Sequence, residues 1–350
     1  MPHLLQRTLG PALTRLAALG LALPLLAGPA LAQVGMAQLQ AGELPVTVVY
    51  PTDAPATRQS FGPFELQAAL NAAPARGNGR LVVLSHGTGG DAFSLNTLAS
   101  TLARAGFVVA QPEHRGDNWR DQSAAGPESW KRRPSEISEA INAIAQDTRF
   151  AGLLQLDRVG VFGMSAGGVT GLALAGGDWS LATMLQHCAA HVRDDAGFCL
   201  YGARSAEEAA TRAQAYSRPL PPGAEAPLAG MRVHDARVAA VALEVPVGAI
   251  FTPGSLAAIR IPVGLVEAQA DRILNPQYHS GYVLAQCGAC QRLDSMAGAG
   301  HFDTLSPWPD SIAQSMARMP GGQRNPVVDD ARRQQGYDRI AAFFREKLRP

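Results

Sequence analysis

The sequence predicts an α/β fold in which a mainly parallel sheet is covered by helices on both faces. Three observations lead there. Residues 81–84, 107–110, 159–162, 238–245 and 261–266 are short, almost unbroken apolar runs, as in strands buried on both faces. Between them apolar residues recur at helical spacing, and strands that alternate with helices build parallel sheets through crossover connections. Apolar residues make up 47% of the 350 and charged residues 17%, so the chain can fill a sizeable core and lies outside the composition of disordered proteins.

The elements follow in order. Residues 1–32 read as a signal peptide. Arg7 and Arg15 supply a basic start, residues 16–26 an apolar stretch too short to span a bilayer, and Ala30-Leu31-Ala32 a cleavage signal that starts the mature chain at Gln33. The protein is therefore expected to be exported, to a periplasm or beyond. No cysteine follows the cleavage signal to carry a lipid, and no later apolar stretch is long enough to cross a membrane. Residues 33–350 are expected to form one domain.

Residues 44–50 read as an early strand. Residues 53–79, rich in Ala, Pro, Gly and polar side chains, read as connection. The strand at 81–84 leads into Ser85-His86-Gly87-Thr88-Gly89-Gly90. Leu95, Leu98 and Leu102 then mark a helix that Gly106 ends. The next strand stops at Pro112 before a polar loop over 113–121. A helix is expected after Pro134, with Ile137, Ile141 and Ile144 on one face. The strand at 159–162 runs into a helix of Gly, Ala and Leu over 167–176. Residues 180–235 hold a Pro-rich piece at 218–223 and are long enough to form a cap. Strands at 238–245, 261–266 and 293–296 follow. Ile340, Phe343 and Phe344 suit a final amphipathic helix.

Charge and cysteine content narrow the function. Lys+Arg and Asp+Glu are balanced at 30 and 29, which argues against a nucleic-acid partner. The four cysteines favour disulfides in an exported chain, and local pairing predicts Cys188–Cys199 and Cys287–Cys290. Cys287-Gly288-Ala289-Cys290 is also a C-x-x-C. Redox use would need a thioredoxin-like context, and a zinc site a second pair at ligand spacing; neither is visible.

The chemistry centres on Gly163-Met164-Ser165-Ala166-Gly167, directly after a buried strand. A strand that turns sharply into a helix through G-x-S-x-G is a nucleophile elbow: the hydroxyl stands at the tip of the sheet and the next amide, Ala166 N–H, faces the same space. A serine hydroxyl needs a base to take its proton, and the base needs a carboxylate to orient it. In this type of site the order along the chain is Ser, acid, His. His3 lies in the leader, and His86 and His114 precede Ser165. His187, His191 and His234 precede the expected acid, and His279 follows it too closely. His301, past the last strand on a Gly/Ala loop, is the base the order selects. Asp271 follows the strand at 261–266 and is the expected acid. Glu244, in Ala242-Leu243-Glu244-Val245-Pro246 near the end of the preceding strand, is the alternative; burying a carboxylate unpaired in so apolar a run is expensive, so it fits a second acid, a salt-bridge partner or an alternative triad member. The second oxyanion donor is expected in the 86–90 loop, from Thr88 N–H. That loop lacks the G-K-[ST] of a nucleotide site. The Glu113–Asp117 stretch fits a brace for the oxyanion loop, a border of the pocket or an ordinary hydrogen-bonded network at a strand end.

Together, the His-Gly-Thr-Gly-Gly loop, Pro112-Glu113-His114-Arg115-Gly116-Asp117-Asn118 and Gly163-Met164-Ser165-Ala166-Gly167-Gly168 resemble a group of exported bacterial proteins labelled predicted dienelactone hydrolases. These are distant relatives of platelet-activating-factor acetylhydrolases. The resemblance runs from about residue 44 to 305. It implies an α/β-hydrolase fold and cofactor-free ester hydrolysis by Ser165, an acid and His301, on a small-molecule, lipid or polymer ester. True dienelactone hydrolases use a cysteine where this elbow has Ser165. The acetylhydrolase relatives take their acid from the earlier strand end, which matches Glu244. The resemblance therefore keeps Glu244 beside Asp271. It also admits a phospholipid acyl hydrolase. A binding module on an inactive hydrolase fold is the alternative from another class.

Overall fold

The computed structural model describes residues 33–221, 234–319 and 321–349. The expected leader, with Arg7, Arg15 and the Ala30-Leu31-Ala32 signal, lies outside the described residues, as does the end of the Pro-rich piece from Pro222.

The first described segment is a hairpin, β1 (Gln33–Ala41) and β2 (Leu44–Thr52), turned at Gly42 with φ 61°. Residues 53–79, expected as connection, carry a second hairpin, β3 (Thr57–Phe61) and β4 (Phe64–Leu70). The misreading has a physical cause. The hairpin lies at the end of the sheet, with β3 as the edge strand, and its residues are about half exposed, so polar residues occupy positions that would be apolar in a central strand.

The central elements alternate. β5 (Leu81–Ser85) is followed by α1 (Asn96–Arg104), β6 (Val108–Pro112), α2 (Pro127–Gln146), β7 (Val159–Met164) and α3 (Ala166–Leu174). The helix expected after Pro134 starts earlier, at Pro127, and Pro134 lies inside it. An internal proline gives up one helical hydrogen bond. Here the buried face of Trp130, Ile137, Ile141 and Ile144 carries the helix through it. Three helices follow in the segment expected as a cap: α4 (Leu181–His191), α5 (Ala196–Cys199) and α6 (Ala206–Ala215). Next come β8 (Val238–Glu244), α7 (Pro253–Ala257), β9 (Val263–Ala268), α8 (Ser280–Gln286) and β10 (Cys290–Met296). The chain closes with α9 (Asp310–Met316) and α10 (Asp330–Lys347). Among the described residues no helix is long and apolar enough to cross a membrane.

All ten strands form one sheet in the order β10-β9-β8-β7-β5-β6-β2-β1-β4-β3. From β6 to β10 every neighbouring pair is parallel. One face packs on α1 and α10 through Leu98, Leu102, Ile340 and Phe344; the other packs on α2 and α3 through Ile137, Ile141, Val169 and Leu172. Parallel strands put all their C-terminal ends along one edge, where α/β folds gather their sites. Here that edge receives the loops after β5, β7, β9 and β10.

Candidate active site

Ser165 lies between β7 and α3 with φ 55° and ψ −115°, a conformation L-residues rarely hold. The surrounding glycines make this turn fit. A Cβ on Gly163 would stand 2.0 Å from Gly167 O, and one on Gly167 2.0 Å from Ser85 O. Hydrogen bonds pin the turn to the next strand: Ser165 N–H donates to Glu244 O at 3.0 Å, and Val247 N–H donates to Ser165 O at 3.2 Å. G-x-S-x-G is thus a steric requirement of a backbone that doubles back on β5.

The structure brings Ser165, His301 and Asp271 together. His301 Nε2 is 3.0 Å from Ser165 Oγ, and its Nδ1 is 2.7 Å from Asp271 Oδ2. The other Asp271 oxygen accepts from Ile273 N–H and Leu274 N–H, both at 2.8 Å. These bonds fix the carboxylate plane. The loops after β9 and β10 are tied together by Ala270 N–H donating to Ala299 O at 2.8 Å. Asp303, buried just beyond His301, accepts from Gly300 N–H and Asn325 N–H and holds the histidine turn from behind.

Glu244 is not brought to His301. It ends β8 with no exposed surface, and neither carboxyl oxygen has a hydrogen-bond partner among the described residues. Burial pushes its carboxyl up to about 8, with Thr304 offsetting only part of the rise. Among the described residues no cation pairs with it, and burial favours its neutral form.

The 86–90 loop approaches Ser165 from β5. A Cβ on Gly87 would stand 3.4 Å from Ser165 Cβ. The orientation of Thr88 N–H follows from the carbonyl before it. Gly87 O accepts from His86 Nδ1–H at 2.7 Å, Gly90 N–H at 3.2 Å and Arg133 at 3.4 Å. A trans peptide is planar, so a carbonyl held one way aims the following N–H the other way. The amides of Thr88 and Ala166 have no acceptor among the described residues.

A buried polar network supports this loop. Arg133 of α2 has no exposed side-chain surface; it donates to His86 O and pairs with Asp117 at 2.8 Å. Asp117 in turn accepts from Gly89 N–H at 2.9 Å. His86 Nε2 accepts from His114 N–H at 3.2 Å, which places the His86 proton on Nδ1. Burial holds both imidazoles well below their ordinary pKa, so both are neutral. His114 spans Ser85 Oγ at 2.8 Å and Glu136 at 2.6 Å. The Glu113–Asp117 stretch is thus a hydrogen-bonded network at the end of β6 that also holds the 86–90 loop through Asp117 and His114. Arg133 carries no sequence signal, since it sits on a helix whose start was misplaced.

The described part of the 180–235 segment lies over this edge. Disulfides join Cys188 to Cys199 and Cys287 to Cys290. Asp195 accepts from His187 at 2.8 Å and from His279 at 2.9 Å, and these imidazoles hold its carboxyl down at about 2 against the opposing effect of burial. A Cβ on Gly197 would meet Arg272 O at 2.0 Å, so α5 sits directly on the loop that carries Asp271. His187, Asp195 and Cys199 cluster closely enough for a metal, but the Cys199 sulfur is bound in the disulfide and cannot ligate.

Beneath this cap is a cavity of about 690 Å³ that reaches Ser165, His301, Thr88 and Ala166. Phe198, Cys188, Cys199 and Met184 line it from the cap, Ile273 and Leu274 from the acid loop.

Residues 56–151 match the family profile of platelet-activating factor acetylhydrolase, isoform II. That match ends before Ser165. Among solved structures, a ferulic acid esterase from Streptomyces cinnamoneus aligns over 93% of both chains with a TM-score of 0.56 and 17% identity. In all, 892 solved chains match, so the likeness is one of fold and selects no substrate. No curated protein matches the sequence. The chain has the α/β-hydrolase fold, and its residues 56–151 are similar to the platelet-activating factor acetylhydrolase, isoform II, family.

Proposed function

We propose that this protein is a serine carboxylic-ester hydrolase that works through an acyl-enzyme. The observation that carries the reading is the relay from Ser165 Oγ through His301 to Asp271, built on a strained elbow. Ser165 Oγ attacks the ester carbonyl while His301 Nε2 takes its proton. The negative charge forming on the carbonyl oxygen is met by the amides of Thr88 and Ala166. His301 then gives its proton to the departing alcohol. Water, deprotonated by the same imidazole, attacks the acyl group and frees Ser165. Asp271 keeps the imidazole in the tautomer with its proton on Nδ1 and offsets the charge it gains. No step calls for a cofactor.

Ser165→Ala should lower kcat on p-nitrophenyl acetate by about 10⁴-fold or more, the scale of losing a triad nucleophile. A fluorophosphonate should label Ser165 in the wild-type chain alone. Wild-type turnover retained in Ser165→Ala would refute the proposal. Absence of labelling and turnover in the wild type would favour a binding module on an inactive fold.

The match over residues 56–151 favours one second reading, a phospholipid acyl hydrolase. Comparing kcat/KM on short-chain phosphatidylcholines and on simple esters separates the two. The two disulfides support export, since such bonds persist in oxidising compartments.

A further inference from the structure

The cavity over Ser165 gathers aromatic side chains from a chain that has few. Aromatic residues are 6% of the sequence, yet three of its four tryptophans, Trp119, Trp130 and Trp308, line this one space. Phe64, Phe198 and Phe302 join them. Several are held in place from behind. Trp308 lies 4.2 Å from the Arg324 guanidinium and 5.4 Å from Phe302, which meets the His301 ring edge-on at 5.0 Å. Trp130 is set against Trp179 edge-on at 5.6 Å. At the other extreme Trp119 is 58% exposed and Tyr201 38%, so the aromatic lining includes residues open to solvent.

The lining offers little to a charged group. Arg212 is the one Lys or Arg lining the cavity among the described residues, and it is engaged by Glu208 at 2.6 Å and by Tyr201 O. Asp91, also in the lining, is occupied by Ser94 N–H at 2.8 Å. Among the described residues no unpaired Lys or Arg lines the space to hold a phosphate.

We infer that the site takes uncharged esters that carry an aromatic ring, rather than lipids with phosphate head groups. The inference rests on the ester-hydrolase reading above. A ring set edge-on or offset against another gains about two- to tenfold in affinity beyond the area it buries. A saturated ring of the same size buries equal area without that gain and is more hydrophobic. The two therefore separate aromatic recognition from an ordinary greasy pocket.

The test uses matched esters: methyl 3-phenylpropanoate against methyl 3-cyclohexylpropanoate, and benzyl acetate against cyclohexylmethyl acetate. The first pair puts the ring on the acyl side, the second on the alcohol side. Titrated calorimetrically against Ser165→Ala, the phenyl member should bind about tenfold more tightly in at least one pair. Trp308→Leu or Trp130→Leu, made in the same background, should reduce that ratio. Equal affinities, or a preference for the saturated ring in both pairs, would overturn the inference. So would tighter binding of a short-chain phosphatidylcholine than of all four esters. Turnover of the four esters by the wild-type chain reads the parent proposal independently. Selective phenyl binding without hydrolysis would retain the aromatic site and discard the hydrolase.

Discussion

Arg133 lies outside the relay, and on the proposed mechanism it would position the oxyanion loop. Its guanidinium reaches from α2 to the carbonyls of His86 and Gly87, while its partner Asp117 holds Gly89 N–H. The loop that presents Thr88 N–H is thus gripped on three consecutive peptide units before substrate arrives, which is what oxyanion stabilisation requires. Arg133→Met should lower kcat about 10- to 100-fold with KM little changed, because the loss falls on the transition state. The single change leaves Asp117 buried without its cation, so the double variant Arg133→Met/Asp117→Asn serves as the folded control. If that variant retains kcat, Arg133 has no part in placing the donor. His86 was set aside in the sequence because it precedes Ser165, and order along the chain does exclude it as the base. It cannot show that the same residue grips the Gly87 carbonyl.

At the level of elements, the cap and the acid loop behave as one unit. α4 and α5 are joined by Cys188–Cys199, Asp195 links them to His279 at the start of α8, and Gly197 rests on the backbone of Arg272. Ile273 and Leu274 donate to Asp271 and also line the cavity. A loosened cap therefore disturbs the substrate wall and the acid together. Cys188→Ala/Cys199→Ala should cost about 2–3 kcal/mol of stability, the scale for a loop of this length. It should also lower kcat/KM for bulky esters more than for p-nitrophenyl acetate. Equal losses on both substrates would show that the disulfide does not shape the wall. Cys287–Cys290 closes a much shorter loop, with a sequence separation of 3, and its removal should matter less.

For the whole molecule, Glu244 links the fold to pH. Its carboxyl is shifted up to about 8 in the folded state, so between its ordinary value near 4.5 and about 8 the native state binds more protons than the unfolded one. The contribution of Glu244 to stability therefore falls as pH rises through that window and levels off above it, while the buried neutral His86 and His114 act in the opposite direction below their ordinary value. Glu244→Gln, neutral at every pH, should raise Tm at pH 8 and lose most of that advantage by pH 5. A gain independent of pH would contradict a buried, neutral Glu244.

Much of this molecule was legible in the sequence because its signals are local. A strand buried on both faces must be apolar throughout, so the central strands announce themselves. An elbow that folds back on β5 admits no Cβ at Gly163 or Gly167, so its motif is written in the chain. The order of Ser165, Asp271 and His301 along the chain follows the order of strand ends in this fold. The rest depends on contacts between distant residues. The edge hairpin of β3 and β4 is half-exposed and has no apolar signature. Pro134 marks a helix start by local rules and is overruled by packing. Whether Asp271 or Glu244 meets His301 could not be read from spacing, because both end strands at the same edge. The sequence by itself determined the fold class, and it singled out Ser165 and its candidate partners, since each rests on short-range sterics and chain order. Only the tertiary structure decided which carboxylate faces the imidazole, what aims Thr88 N–H and what walls the cavity. Those depend on where side chains far apart in sequence meet, and no local pattern encodes that.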